Sequence, residues 1–138
     1  MNSTSEITVR YAETDQMGIA HHSVYPVWFE VARTDFIKKV GMTYSDMEKA
    51  GVLLPLLEVH NIFRLPARYE DHLTVQVEIS RLTPSKVEFS YIIYKEDEAK
   101  PIHTGSTLHA FVTKDMRPMD MRKHFPEIYQ MFLRIFEN

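Results

Sequence analysis

Ser23-Val24-Tyr25-Pro26-Val27-Trp28-Phe29-Glu30-Val31-Ala32-Arg33-Thr34-Asp35-Phe36-Ile37-Lys38-Lys39-Val40 is the stretch on which the fold turns. At ~100° per residue, Tyr25, Trp28, Phe29, Ala32, Phe36 and Val40 fall within an arc of about 120°, an amphipathic helix with an aromatic inner stripe. Glu30, Thr34 and Lys38 recur at i, i+4 on the opposite side. Ser23 suits the N-cap, Pro26 the first turn and Gly41 the position just past the end. A helix with so much aromatic bulk on one stripe predicts the core element of its domain.

Around it the periodicity is two. Ile7, Val9 and Tyr11 alternate with Thr8 and Arg10 before the helix. After a short helical candidate at Tyr44 to Ala50, Val59, Asn61, Phe63 and Leu65 alternate up to Pro66. Val75, Val77 and Ile79 follow, then Val87, Phe89, Tyr91 and Ile93 beyond the Leu82-Thr83-Pro84-Ser85 turn. Lys95 to Pro101 is a charged turn, Ile102 to Thr113 a last strand, and Met121 to Phe136 a closing helical pattern. The expectation is an α+β domain, a mainly antiparallel sheet of about five strands wrapped around one long central helix, with a C-terminal helix. With 138 residues, no repeat and no linker, residues 1–138 read as one domain.

Composition narrows the chemistry. Sixteen Lys and Arg against nineteen Asp and Glu leave a net charge of −3, which argues against a general polyanion binder. No apolar run approaches the ~20 residues of a membrane helix, and the polar N-terminus predicts no signal peptide and a cytoplasmic location. Zero cysteines exclude disulfides, thiolate nucleophiles and Cys-ligated metals. Seven histidines invite a metal, but none has zinc-like spacing. His103 and His109 share a strand face about 20 Å apart, so they cannot share an ion. His60, His72, His103, His109 and His124 read as surface or hydrogen-bonded side chains, and no metal is expected. With no Gly-x-Ser-x-Gly elbow and no phosphate loop, carboxylates are the expected catalytic groups.

Tyr11-Ala12-Glu13-Thr14-Asp15-Gln16-Met17-Gly18-Ile19-Ala20-His21-His22-Ser23-Val24-Tyr25 places an acid, a glycine turn and two histidines between a strand end and the aromatic helix. A helix start offers unpaired N–H groups and a positive dipole end that can hold a developing oxyanion. An ionised Asp15 there could attack a carbonyl or activate water. The same residues also suit a quieter arrangement, with Asp15 capping its turn and Tyr25 packed in the core.

The run Thr14-Asp15-x-x-Gly18-x-x-x-His22-x-x-Tyr25-x-x-x-Phe29-Glu30-x-x-Arg33 resembles the signature of the 4-hydroxybenzoyl-CoA thioesterase-like, hotdog-fold acyl-CoA thioesterases. Leu65-Pro66-Ala67-Arg68-Tyr69-Glu70-Asp71 is similar to that family's turn before a strand. The resemblance implies hydrolysis of an acyl-CoA thioester to free acid and CoA, with CoA as part of the substrate and no separate cofactor. It implies Asp15 as nucleophile or general base, a backbone N–H at His22 polarising the thioester carbonyl with its side chain assisting, and Tyr25 lining the site. Gly18 then allows close backbone approach to substrate, and His21, Phe63 and Lys86 join Gly18 in binding, Lys86 toward the CoA phosphates. It also implies a homodimer or homotetramer with shared sites. Phe63 departs from the family, many members of which carry tyrosine there. The His-Gly-Gly motif of the other hotdog thioesterase branch is missing, so Glu30 is read as a surface partner of Arg33 or Thr34. Two other activities fit the same residues: an acyl-carrier-protein thioesterase, and a non-catalytic module that binds acyl-CoA.

Overall fold

The computed structural model describes residues 1–138. In chain order the elements are β1 (Asn2–Thr8), α1 (Tyr25–Lys39), α2 (Tyr44–Ala50), β2 (Leu56–Phe63), β3 (His72–Leu82), β4 (Lys86–Lys95), β5 (His103–Ala110), α3 (Met121–His124) and α4 (Pro126–Glu137). The five strands form one sheet in the order β1-β3-β4-β5-β2, every neighbouring pair antiparallel. The long helix α1 lies on it, as a hotdog fold requires.

The aromatic stripe sets this arrangement. Tyr25, Trp28, Phe29, Ala32 and Phe36 are buried, joined by Ile37, and Val40 is half-buried at the C-cap. Phe29 stacks on Tyr91 of β4 at 4.1 Å between ring centres, 8° from parallel. The ring fits because the neighbouring position on β5 is Gly105. A Cβ there would stand 2.6 Å from the Phe29 ring and 2.5 Å from the His60 carbonyl oxygen. Glycine is thus required by the close approach of helix and sheet. Gly41, at φ +101°, ends the helix in the left-handed region as its position predicts.

Four details differ from the sequence reading. The first strand runs from Asn2 to Thr8 rather than through Tyr11. Its buried face begins with Ser3 and Ser5, whose hydroxyls meet Lys39 Nζ at 2.7 Å and Asp35 Oδ2 at 2.7 Å on the flank of α1. Tyr11 sits beyond the strand in a 3-10 turn and is exposed. Ser23 does not cap α1 through its side chain. Residues 22–24 form a 3-10 turn, and it is His21 Nδ1 that accepts the Ser23 N–H at 3.2 Å. The alternation of β2 does not translate into burial, because β2 is an edge strand. Leu56, Leu57, Val59, Ile62 and Phe63 are all 40–55% exposed. The C-terminal helical pattern breaks at Phe125 (φ −141°, ψ +63°), because the residue before a proline is pushed out of the helical region.

Arg33 also turns inward instead of pairing with Glu30. Its guanidinium donates to Tyr91 Oη at 3.1 Å, Tyr91 Oη lies 2.6 Å from Thr107 Oγ1, and Thr107 Oγ1 lies 2.9 Å from His109 Nε2. His109 Nδ1 reaches the Leu54 carbonyl at 3.2 Å. His103, fully buried, stacks on Tyr25 at 4.0 Å and holds Asn61 Oδ1 at 2.8 Å through Nε2. Its Nδ1 has no partner. Burial lowers the pKa of both His103 and His109 to about 4.

Two outcomes follow for stability. Gly105→Ala forces a Cβ against backbone and ring and is expected to cost about 1–3 kcal/mol, read as a fall in Tm of several degrees. An unchanged Tm would refute the close approach. The histidines give a pH dependence of definite sign. Their folded pKa values lie below the unfolded value of about 6.5, so the unfolded chain binds more protons between pH 6.5 and 4. Their contribution is therefore complete above pH 6.5 and is lost as pH falls through about 4. Chemical denaturation at pH 7.5, 5.5 and 4.5 is expected to show the decline, with a smaller slope in His103→Gln.

Candidate active site

The chain between β1 and α1 folds into a small hairpin, and its geometry explains the acid–glycine spacing. Glu13 O accepts the His21 N–H at 2.8 Å, and Asp15 N donates to Ile19 O at 2.9 Å. Gly18 N closes a turn onto Asp15 O at 2.9 Å. With Gly18 at φ +78°, this is a type I turn followed by a left-handed residue, the usual three-residue hairpin loop. A Cβ at Gly18 would meet nothing within 4 Å, so in the free chain glycine supplies the backbone conformation rather than room. One further hydrogen bond, Ala20 N to Ala67 O at 2.8 Å, joins the hairpin to the segment that carries Leu65 to Asp71.

Asp15 stands at the head of the hairpin, half-buried. Its Oδ1 accepts the Met17 N–H at 2.9 Å, which fixes the rotamer, while Oδ2 has no partner in the chain. Both readings of Asp15 from sequence are therefore compatible in one side chain: one oxygen caps the turn and the other is free. Asp15 borders a groove of about 700 Å³ shared with Gly18, Tyr11 and Tyr69. The two tyrosines meet edge to face, 5.6 Å between ring centres, and both are more than half exposed.

The hairpin delivers the chain to α1 through His21 and His22. The rings of the two histidines lie 4.1 Å apart, and His21 Nδ1 is 2.8 Å from Ser23 Oγ. The Ser23 N–H is taken by His21 Nδ1 and the Val24 N–H by His21 O. The His22 N–H has no partner, and the His22 side chain is exposed. A free N–H at the start of the 3-10 turn that leads into α1 is a donor available to a ligand.

Asp15, Gly18, His21 and His22 thus come together on one hairpin and its exit. Tyr25 is placed differently, only 2% exposed. Its ring is sandwiched by His103 at 4.0 Å, Trp28 at 4.8 Å and Phe63 at 5.2 Å. Burial raises its pKa, and the Ala67 backbone partly offsets that. Phe63 covers this cluster from the edge strand and is half exposed. Lys86 is not brought to the hairpin within one chain. It begins β4, seven residues from Ile93, and Ile93 is in register with His103 and Phe63. That separation is about 23 Å at ~3.3 Å per residue. Lys86 instead borders a separate groove with Glu58, Arg81 and Glu88.

Glu13 escaped the sequence reading. It is 6% exposed, and its carboxylate accepts the Arg10 N–H at 2.8 Å and the indole N–H of Trp28 at 3.0 Å. A partner fifteen residues away leaves no spacing signature; only Glu13's place beside a strand end marks it. No group of three or more His, Asp or Glu side chains converges as a metal site would need.

The hairpin carries a carboxylate with one free oxygen and its exit carries an unpaired backbone N–H. Such a carboxylate can activate water or attack a carbonyl, and such a donor can hold the resulting oxyanion. Residues 9–136 match the family model of the Thioesterase-like superfamily. The Bacillus subtilis (strain 168) protein YneP, provisionally named an acyl-CoA thioesterase, is 42% identical over 126 residues, 91% of each chain. The chloroplastic acyl-acyl carrier protein thioesterase ATL3 of Arabidopsis thaliana is 25% identical over 129 residues, 94% of this chain and 68% of that one. The crystal structure of a DHNA-CoA thioesterase from Staphylococcus aureus superposes with a TM-score of 0.92 at 32% identity, covering 97% of this chain and 90% of that one. Fold and sequence agree, and the chain belongs to the Thioesterase-like superfamily of hotdog thioesterases.

Proposed function

We propose that the protein hydrolyses acyl-CoA thioesters to a free acid and CoA, with Asp15 as the catalytic carboxylate. The observation that carries this reading is the free Asp15 Oδ2 on the same hairpin whose exit leaves the His22 N–H unpaired. Asp15 takes a proton from water as the water oxygen attacks the thioester carbonyl carbon. The carbonyl electron pair moves to oxygen, where the His22 N–H stabilises it. Collapse of that intermediate breaks the C–S bond, and the leaving thiolate is neutralised by the proton that Asp15 holds. Direct attack by Oδ2 would use the same group to form a mixed anhydride, which water then opens. In either case the backbone donor survives mutation of its side chain, so His22→Ala is expected to cost less than Asp15→Asn.

The test is thiol release from CoA thioesters running from acetyl to palmitoyl and including hydroxybenzoyl, with the corresponding acyl-carrier-protein esters in parallel. Asp15→Asn is expected to lose about 10²-fold or more in kcat, the usual worth of a placed proton acceptor, while CoA binding persists. Wild-type rates in that variant would remove Asp15 from the mechanism. Faster turnover of carrier-protein esters would transfer the substrate class to those, as in the name of the Arabidopsis relative. Binding of CoA without turnover of any ester would leave a binding module.

A second copy of the chain completes this reading. β2 is an unpaired edge whose large apolar side chains stand in solvent, an arrangement that invites pairing. Antiparallel β2–β2 pairing would set the Leu56 end of one copy beside the Phe63 end of the other. In each copy, the Leu56 end is also the Lys86 end of the sheet. The Lys86 of one copy would thereby approach the hairpin of the other, the place its suggested contact with CoA phosphates demands. Light scattering is expected to give twice 16.2 kDa or a higher multiple, and Ile62→Glu to lower it. A 16.2 kDa wild-type particle would overturn the assembly.

A further inference from the structure

We propose that Glu13 is a positioning residue of this site, setting the Asp15 carboxylate and the His22 N–H relative to each other by binding the hairpin to α1. The inference rests on the roles given above to Asp15 and the His22 N–H.

Glu13 ties three parts of the chain together. Its main-chain oxygen accepts the His21 N–H at 2.8 Å, which closes the base of the hairpin at the residue before His22. Its Oε1 accepts the Arg10 N–H at 2.8 Å, where the chain leaves the strand. Its Oε2 accepts the Trp28 indole N–H at 3.0 Å. No other hydrogen bond joins residues 10–20 to α1. The remaining tie of the hairpin, Ala20 to Ala67, reaches the segment before β3 and not the helix. Remove the Glu13 carboxylate and the hairpin head loses its fixed distance from the helix start.

The chemistry of the cradle calls for an ionised carboxylate. Arg10 Nη2 adds a third donor, 3.4 Å from Oε2, so both oxygens face N–H groups only. A glutamine in the same place would turn its NH2 toward at least one of them in either orientation. Burial pushes the Glu13 pKa up, but the Arg10 backbone N–H, the Trp28 indole and the Arg10 guanidinium together hold it below its ordinary value. The group is thus a buried anion matched to fixed donors, a rigid support rather than a proton carrier. Catalytic geometry misplaced by about 1 Å can cost 10²-fold in rate, so such a support is read in turnover and not only in stability.

The test compares the full-length protein with Glu13→Gln, Trp28→Phe, Asp15→Asn, the double variant Glu13→Gln/Asp15→Asn, and Ile128→Ala in α4 as a control for lowered Tm. All are assayed on the best CoA ester of the panel at a temperature where each is folded. Glu13→Gln is expected to lower kcat about 10- to 100-fold with KM changed less than about twofold. Trp28→Phe, which keeps an aromatic ring and deletes the donor, is expected to lower kcat several-fold and serves if Glu13→Gln does not fold. Ile128→Ala is expected to keep its kcat. In the Asp15→Asn background, Glu13→Gln is expected to cost less than about twofold more, because the group it positions is already gone. Wild-type kcat in both Glu13→Gln and Trp28→Phe, or an equal loss in Ile128→Ala, overturns the proposal. Loss in Asp15→Asn with full activity in Glu13→Gln overturns Glu13 alone. Full activity in Asp15→Asn overturns the reading of Asp15 and, with it, the route by which Glu13 acts.

Discussion

The seat of Phe29 over Gly105 is the constraint from which the rest of the molecule is built. A long helix can lie close on a sheet only where one residue of the sheet gives up its side chain. Here the gap also lets Phe29 stack flat on Tyr91 in the adjacent strand. That depth brings the next turn of α1 down with it. Tyr25 and Trp28 are buried ring against ring in the same stripe at the helix start, and the Trp28 indole N–H becomes the fixed point to which Glu13 of the incoming chain binds. The site is placed by the core, because the core decides where the helix begins.

What reaches that point is a hairpin too small to hold a shape alone. It has two cross-chain hydrogen bonds, a turn that needs the left-handed Gly18, and an Asp15 oxygen bound to its own turn. Its rigidity is borrowed from Ala67 on one side and, through Glu13, from Trp28 on the other. Asp15 therefore divides its two oxygens between structure and reactivity. The turn holds Oδ1, and the chemistry assigned to the site uses the oxygen that remains.

The elements legible in the sequence are those whose side chains obey one period and one environment. α1, β3 and β4 each bury a continuous apolar stripe, so alternation or helical spacing marks them directly. β1 hid because its inner face opens with Ser3 and Ser5, which are buried through hydrogen bonds to α1 rather than through apolarity. β2 misled in the opposite sense, since its apolar residues alternate but face solvent at an edge. The break at Phe125 was written in Pro126, and the helical period simply outweighed it. In the site, Asp15, Gly18 and His22 were legible because they lie close together along the chain. Glu13 was not, since its partner lies 15 residues away, and in the core the inward turn of Arg33 onto Tyr91, 58 residues away, left no mark for the same reason.

The two free edges of the sheet are not equivalent, and the difference bears on how the site is finished. β1 is polar and partly occupied: Lys39 Nζ takes both the Ser3 hydroxyl and the Thr4 carbonyl, and Ser5 is bound by Asp35. Charge and side-chain bonds of this kind blunt an edge against a further strand. β2 carries a Glu58–His60 pair but leaves Leu56, Leu57, Val59, Ile62 and Phe63 in solvent, and its Phe63 forms the outer wall of the cluster that buries Tyr25 and His103. The pairing of two copies proposed above would therefore use the β2 edge. It would cover Phe63 and close the Tyr25 cluster from outside, so the same contact that satisfies the sheet would also complete the surroundings of the helix start.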